Sequence, residues 1–227
     1  MNGGHEKYSR QAAQFFTEGL SGLDLALTDE QVVSLIRYCL ELRKWNKKVN
    51  LVARNTSLRD LIDKHFFDSL TLVPLLRKFD HLSGPLLDVG SGAGFPGLVV
   101  KIACPSLAVM LLEPRHRRAT FLKHVIRLLA LKKTEVHMRR TEDADFAADS
   151  DFAFITGRAV AEVCEFLAMV EHLAAPKTLV ICMQGEGGSE RWEKQENPTA
   201  FQFIGVEKTM LPLSGAGRHL LLFRKSP

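Results

Sequence analysis

Residues 86–97 of the 227-residue chain read LLDVGSGAGFPG, an apolar segment followed by a glycine-rich turn and a proline. Glycine has no Cβ, so a ligand can approach the backbone of such a turn closely. Pro96 suits the first turn of a helix, and the unpaired N–H groups of that helix would then face the ligand. The stretch therefore predicts a strand, a tight turn and a helix that together form a ligand-binding site.

Short apolar segments and helical stretches alternate on the C-terminal side of this turn. The predicted strands cover residues 85–89, 108–112, 134–138, 152–156, 178–183, 201–206 and 219–224. Predicted helices at 96–104, 115–130 and 160–173 separate most of the first five strands, which is typical of an α/β fold with a parallel sheet. Only a short turn separates the last two strands, which predicts an antiparallel hairpin closing a mostly parallel, seven-stranded sheet.

The first 80 or so residues show a helical pattern instead. A capping box begins at Thr28, and apolar residues then recur at helical spacing to about Trp45. A second helical pattern runs from 58 to 73 and ends near a proline. We therefore predict an N-terminal helical subdomain at 1–82 and an α/β core at 83–227.

Composition excludes several classes of protein. Hydrophobic residues make up 46% and charged residues 25% of the chain, as in an ordinary globular protein. No apolar run approaches the ~20 residues that span a bilayer, and the N-terminus has no apolar signal segment. The four cysteines have neither disulfide-framework nor zinc-site spacing. These features predict a cytoplasmic protein without a membrane segment and without a bound metal.

The basic residues are clustered, although the net charge is only +4. One cluster occupies residues 37–64 and another occupies 115–140. Such clusters are expected of a protein that binds a phosphate backbone. Solvated helix faces would give the same pattern, so charge alone leaves both interpretations open.

The glycine-rich turn also has two interpretations. Gly92, Gly94 and Gly97 match the G-x-G-x-x-G pattern of nicotinamide-dependent oxidoreductases. However, Asp88 stands two residues before the first glycine, where it would repel a pyrophosphate. The resulting D-x-G-x-G-x-G pattern is similar to motif I of class I S-adenosylmethionine-dependent methyltransferases. Glu113 follows a predicted strand at a position where doubly wound folds place a ribose-binding acid.

The chain as a whole resembles the bacterial small-subunit rRNA guanine-N7 methyltransferases, also called glucose-inhibited division protein B. The matching segments are WNKKVNL at 45–51, KHFFDSL at 64–70, the turn at 88–97, RRATFL at 117–122, RTE at 140–142 and GRAV at 157–160. The resemblance implies a Rossmann-like class I methyltransferase core with S-adenosyl-L-methionine as cofactor. It also implies a cofactor site formed by Asp88, Gly90, Gly92, Phe95, Glu113, Thr141, Glu142 and Arg158. Within that site, Asp88 would lie near the cofactor's amino group, Glu113 at its ribose, and Thr141 with Glu142 at its adenine.

The same resemblance implies a substrate site and an RNA partner. Asp68, Arg158 and His65 are the candidates for positioning a guanine, whose N7 carries no proton and so needs no general base. His65 could instead be a structural histidine, and Asp68 could be part of a packing pair. The RNA-binding candidates are Lys47, Lys48, Arg54, Arg117, Arg118 and Arg140. The implied partner is 16S rRNA, the small ribosomal subunit or its assembly intermediate, bound by a monomer. A catalytically inactive RNA-binding module remains the non-enzymatic alternative.

Overall fold

The computed structural model describes residues 2–23, 25–79, 84–143, 151–192 and 199–226, with side chains described from residue 6 onwards. Among these residues, no helix combines the length and the apolar character needed to cross a membrane. The predicted domain boundary between 82 and 83 lies outside the described residues, so the division at that point stays a prediction.

Seven strands form a single sheet. They are β1 (Leu86–Val89), β2 (Val109–Leu112), β3 (Thr134–His137), β4 (Phe154–Arg158), β5 (Leu179–Gly185), β6 (Phe201–Met210) and β7 (Gly217–Lys225). Their order across the sheet is β3-β2-β1-β4-β5-β7-β6. The first five pair in parallel, whereas β7 runs antiparallel to both of its neighbours. The predicted fold class is thereby confirmed, including the C-terminal hairpin.

The helices flank this sheet and also form the N-terminal part of the chain. The described helices are α1 (Asn2–Leu20), α2 (Asp29–Asn46), α3 (Leu58–Leu61), α4 (Asp68–Leu70), α5 (Leu72–Lys78), α6 (Gly97–Ala103), α7 (His116–Leu128), α8 (Val163–Val170) and α9 (Gly188–Trp192). The predicted capping box is present at the start of α2, where the Thr28 side chain accepts from the Gln31 backbone N–H. A helix over 58–73 is only partly right, because a π-helical turn at Ile62–Phe67 separates α3 from α4. Pro74 lies in the first turn of α5, where it is tolerated, so the helical segment continues to Lys78.

Two predicted boundaries differ from the structure for identifiable reasons. Strand β4 is shifted towards the C-terminus and includes Arg158, because Arg158 pairs with Met183 of β5. The helix predicted over 160–173 begins only at Val163. Ala159 has a φ of 53°, a left-handed conformation that interrupts the regular secondary structure between β4 and α8.

One apolar core joins the N-terminal helices to the sheet. Buried side chains of α1 and α2, such as Phe16 and Tyr38, belong to the same cluster as Leu98 of α6 and Leu111 of β2. A second cluster covers the opposite face of the sheet and centres on α8. The N-terminal helical part therefore packs against the sheet, and at the carboxyl ends of the strands Tyr38 contacts Ala93 and Lys64 contacts Arg158.

Candidate active site

The carboxyl ends of four parallel strands bring the predicted cofactor residues to one edge of the sheet. Asp88 lies in β1 just before the glycine-rich turn, and Glu113 directly follows β2. Thr141 and Glu142 form a turn after β3, and Arg158 is the last residue of β4. In open α/β sheets, ligands bind in the crevice at this edge, where the strand order reverses. In this sheet the reversal falls between β1 and β4.

The glycine-rich turn requires glycine at several positions. Gly90, Gly92 and Gly94 have φ values of 67°, 57° and 96°, in a region that other residues rarely adopt. Gly97 is needed for packing, since a Cβ there would lie 2.7 Å from the Oδ2 atom of Asp88. The Gly97 backbone N–H instead donates to that Oδ2 atom at 2.9 Å. Gly97 therefore leaves room for the Asp88 carboxylate and donates a hydrogen bond to it.

Asp88 is fully buried, and only one of its two carboxylate oxygens has a partner. The Oδ1 atom has no hydrogen-bond partner among the residues that the structure describes. Burial, and to a smaller extent the nearby Glu113 carboxylate, raise the pKa of Asp88, whereas Gly97, Ser91 and Arg158 lower it, and the resulting pKa is about 7. A buried acceptor of this kind, beside a glycine-rich turn, suits a ligand that carries a cationic amino group. The ammonium of S-adenosylmethionine is such a group, so these residues fit this cofactor.

Glu113 ties the second strand to the turn. Its Oε2 atom accepts from the Gly92 backbone N–H at 2.9 Å, and its Oε1 atom accepts from the Arg115 backbone N–H at 2.8 Å. Each carboxylate oxygen can accept more than one hydrogen bond, so Glu113 keeps capacity for hydroxyl donors. Arg118 of α7 lies 4.0 Å away on the outer side. This arrangement is compatible with the predicted role of Glu113 at the ribose.

The turn after β3 holds the two residues predicted near the adenine. Thr141 is buried, and its backbone carbonyl lies 2.7 Å from the Nε2 atom of His172. Glu142 is exposed to solvent. Both residues follow β3 at the carboxyl ends of the strands, and their placement at the adenine stays a prediction.

Asp68 lies at the centre of a charged cluster beside this edge of the sheet. Its Oδ2 atom is 3.0 Å from Nη1 of Arg158, and its Oδ1 atom is 2.6 Å from Nε of Arg218. The Nη1 atom of Arg158 also donates to the Lys64 carbonyl at 2.8 Å. The structure thus brings together Asp68 and Arg158, two of the predicted substrate residues, and adds Arg218.

His65, the third substrate candidate, contacts the same arginine. Its Nδ1 atom is 2.7 Å from Nη2 of Arg158, and its ring stacks on Phe95 at a centroid distance of 5.1 Å. Burial first, and then the charges of Arg158 and Lys64, together lower the pKa of His65 to about 3. His65 is therefore neutral at physiological pH, and its Nδ1 atom can accept a hydrogen bond from Arg158.

Phe95 forms the middle of an aromatic stack. The Tyr38 ring also stacks on Phe95, at a centroid distance of 5.6 Å, and the Tyr38 hydroxyl donates to the Ala93 carbonyl in the glycine-rich turn. Arg158 lies over the Phe95 ring at 5.1 Å. The ring is only 3% exposed, so little of it is left to contact a cofactor, and its predicted cofactor role stays a prediction.

Sequence reasoning missed two residues of this site. Arg218 contacts Asp68 across 150 positions of sequence, and no local pattern marks such a distant pair. In the sequence, Tyr38 looks like one more member of the apolar face of α2, although its hydroxyl donates a hydrogen bond to the Ala93 carbonyl of the glycine-rich turn. Among the described residues, no group of three or more His, Cys, Asp or Glu is placed to hold a metal ion.

The predicted RNA-binding residues are exposed or half-buried, and their contacts with RNA stay predictions. Lys47, Lys48 and Arg54 are exposed on the segment after α2, and Arg117 is exposed in the first turn of α7. Arg118 is half-buried, and Arg140 is exposed just before the turn that contains Thr141. The two basic segments approach each other where Arg118 donates to the Asn50 carbonyl at 3.5 Å.

Comparison with known proteins agrees with this geometry. Residues 31–221 match the family model GidB, described as rRNA small subunit methyltransferase G. A protein of that name from Desulfotalea psychrophila is 37% identical over 92% of this chain and 96% of its own length. Its counterpart from Geobacter metallireducens is 35% identical over 94% of this chain and 96% of its own length.

Solved structures show the same fold at low sequence identity. A MtNAS mutant crystallised with S-adenosylmethionine aligns with a TM-score of 0.58 and 13% identity, covering 100% of both chains. The oxidoreductase alternative has no support in these matches, and the predicted cofactor is confirmed. The chain belongs to the GidB family and is an S-adenosylmethionine-dependent methyltransferase.

Proposed function

We propose that this enzyme transfers a methyl group from S-adenosylmethionine to N7 of a guanine in an unpaired segment of 16S rRNA. The observation that carries the proposal is the unpartnered, buried Oδ1 atom of Asp88 beside a turn of left-handed glycines. It supports a small ligand with a cationic amino group, and the family match names small-subunit rRNA as the substrate of the relatives.

The cofactor would be held by residues at the carboxyl ends of two strands, β1 and β2. Asp88 accepts a hydrogen bond from the ammonium group, and Glu113 accepts hydrogen bonds from the ribose hydroxyls. The glycine-rich turn lets the ligand approach the backbone closely. When bound, S-adenosylmethionine supplies a methyl group on a sulfonium, whose transfer to N7 leaves a neutral thioether and a cationic base. No proton leaves N7, so the remaining task of the chain is to orient the guanine.

Arg158 and Arg218 are suited to that orientation. Arg158 uses two Nη1–H groups and one Nη2–H group on its described partners, which leaves two of its five N–H donors. Arg218 uses one donor on Asp68 and one on the Gly217 carbonyl, which leaves three. Arginine is the residue type that most often contacts this edge of guanine, and here it would donate to O6 while the N7 lone pair stays free to attack the methyl group. Asp68 and His65 fix the Arg158 guanidinium and act as positioning residues.

The end of β4 favours N7 over an exocyclic amine. Methyltransferases that act on exocyclic amines resemble Asn/Asp-Pro-Pro-aromatic at this point, whereas this chain reads Ile155-Thr156-Gly157-Arg158. Cytosine-C5 enzymes need a cysteine nucleophile. Cys164 lies in α8, between Val163 and Glu165, rather than at a strand end. The chain therefore lacks the residues that enzymes acting on exocyclic amines or on cytosine C5 usually have.

The RNA partner and the cellular setting follow from the same argument. Base edges are accessible in unpaired RNA, so a loop or a splayed nucleotide suits the site. We infer that the protein acts as a cytoplasmic monomer on 16S rRNA, the small subunit or its assembly intermediate. Lys48, Arg117, Arg118 and Arg140 would contact phosphates around the target.

Transfer of a labelled methyl group tests the proposal. The purified protein is incubated with methyl-labelled S-adenosylmethionine and with small-subunit or large-subunit rRNA from cells that lack the enzyme. We expect label only in the small-subunit rRNA, recovered as N7-methylguanosine after digestion to nucleosides. Failure to label any ribosomal substrate, naked or assembled, would favour the inactive RNA-binding module instead.

A further inference from the structure

A basic groove lies between α1, the end of α2 and the segment that follows α2. Its volume is ≈ 620 Å³. Ligand pockets of about 300–1,000 Å³ accommodate small molecules, so the groove has room for a nucleotide. The residues that give it its chemical character are Tyr8, Arg43, Lys44, Lys47 and Arg54.

The groove combines positive charge with an aromatic surface. No acidic residue lines it, and neither Lys47 nor Arg54 has a carboxylate within ion-pair distance among the described residues. Tyr8 is 43% exposed, and the Arg43 guanidinium lies over its ring at 3.9 Å. Cationic side chains beside an exposed aromatic ring are how proteins bind single-stranded nucleic acid, through phosphates and stacked bases.

The segment that forms one wall of the groove also reaches the cofactor edge. Asn46 shapes this segment, because its side chain accepts from the backbone N–H groups of Leu51 and Val52 at 2.8 and 3.0 Å. On its far side, the Asn50 carbonyl accepts from Arg118 at 3.5 Å, and Arg118 lies 4.0 Å from Glu113. The same short segment therefore connects the groove with the rim of the active site.

We propose that this groove binds a phosphate and the stacked base of a nucleotide that flanks the target guanine in the RNA substrate. Lys47 and Arg54 contact the phosphate, and Tyr8 with Arg43 forms the platform for the base. The inference rests on the proposed function and deepens it. It assigns α1 to substrate recognition, because Tyr8 of α1 lines the groove.

Steady-state methyl transfer to small-subunit rRNA tests the groove. We expect the double variant Lys47→Ala/Arg54→Ala to raise KM for RNA at least tenfold, with kcat and the Kd of S-adenosylmethionine within twofold of wild type. Tyr8→Ala raises KM about tenfold through lost stacking, whereas Tyr8→Phe keeps the ring and leaves KM within twofold. The matched control is Lys78→Ala/Lys177→Ala, which removes two exposed, ion-paired lysines outside the groove.

The outcomes separate this inference from the proposed function. If wild-type protein methylates the RNA but the Lys47→Ala/Arg54→Ala variant has the KM of the control, the groove assignment is wrong and the methyltransferase assignment stands. If Tyr8→Ala matches Tyr8→Phe, the stacking platform is wrong. If wild type itself transfers no methyl group, the proposed function fails first. Circular dichroism on each variant shows that the fold is retained.

Discussion

Two buried aspartates beside the same sheet edge differ in how their charge is satisfied. Asp88 has one backbone donor and one unpartnered oxygen, and burial raises its pKa to about 7. Asp68 has a guanidinium on each oxygen, from Arg158 and Arg218. Asp68 is complete within the protein, whereas we propose that a ligand completes Asp88. We therefore expect loss of Asp68 to affect stability and loss of Asp88 to affect cofactor binding.

Replacement of Asp68 has the largest expected effect on folding. Asp68→Ala leaves two largely buried guanidinium groups without their carboxylate, which costs about 3–5 kcal/mol in the free energy of unfolding. Urea unfolding of wild type and variant measures the difference. Asp60→Ala, which removes an exposed carboxylate paired with Lys64, is the matched control and should cost less than about 1 kcal/mol. Equal effects of the two substitutions would mean that the contacts of Asp68 with the two arginines stabilise the fold no more than an exposed ion pair does.

Replacement of Asp88 should show the opposite pattern. Asp88→Asn keeps an acceptor for the Gly97 N–H but removes the charge that faces the ligand's ammonium. We expect the Kd of S-adenosylmethionine to rise about 100-fold, or about 2.7 kcal/mol, in isothermal titration. The unliganded variant should be at least as stable as wild type at pH 8, because it no longer buries a carboxylate. A stability loss with unchanged affinity would reverse the comparison.

From the raised pKa of Asp88 we predict that cofactor binding depends on pH. The ammonium needs the carboxylate form, so affinity should fall by up to about tenfold per pH unit below the pKa of about 7 and level off above it. Titrations in buffers of different ionisation enthalpy should show proton release on binding at pH 6. In the unliganded protein, this group binds more protons folded than unfolded between its ordinary value of 3.8 and about 7. Its contribution to stability is therefore lost as pH rises through that window. A Kd that stays constant from pH 6 to 8 would contradict this role.

The chemical step itself should show the smallest pH effect. N7 carries no proton, and His65, with a pKa of about 3, stays neutral throughout the neutral range. Single-turnover rates with saturating cofactor and RNA should therefore vary less than twofold between pH 6 and 8. A bell-shaped profile in this range would indicate a general acid or base that the site does not contain.

The difference between the two aspartates also explains what the sequence could reveal. Asp88 and the glycines lie within ten residues, so their spacing alone predicts the turn, and Glu113 follows from the next strand end. Asp68 and Arg218 are 150 positions apart, and only the antiparallel position of β7 brings them together. Tyr38 was hidden for another reason, since a hydrogen-bonding tyrosine on an apolar helix face looks like packing. Helical periodicity likewise could not show the π-helical turn at Ile62–Phe67, which continues the same apolar face.

The most direct test of the central claim is a chemical cleavage that is specific for N7-methylguanine. Small-subunit rRNA from cells lacking the enzyme is treated with the purified protein and S-adenosylmethionine, then reduced with borohydride and exposed to aniline, which breaks the strand at the cationic base. Primer extension should find one new break, in an unpaired segment, that requires both protein and cofactor. A methyl group that is transferred to the RNA but leaves the strand uncut would place the modification on a ribose or an amine, and would contradict the account.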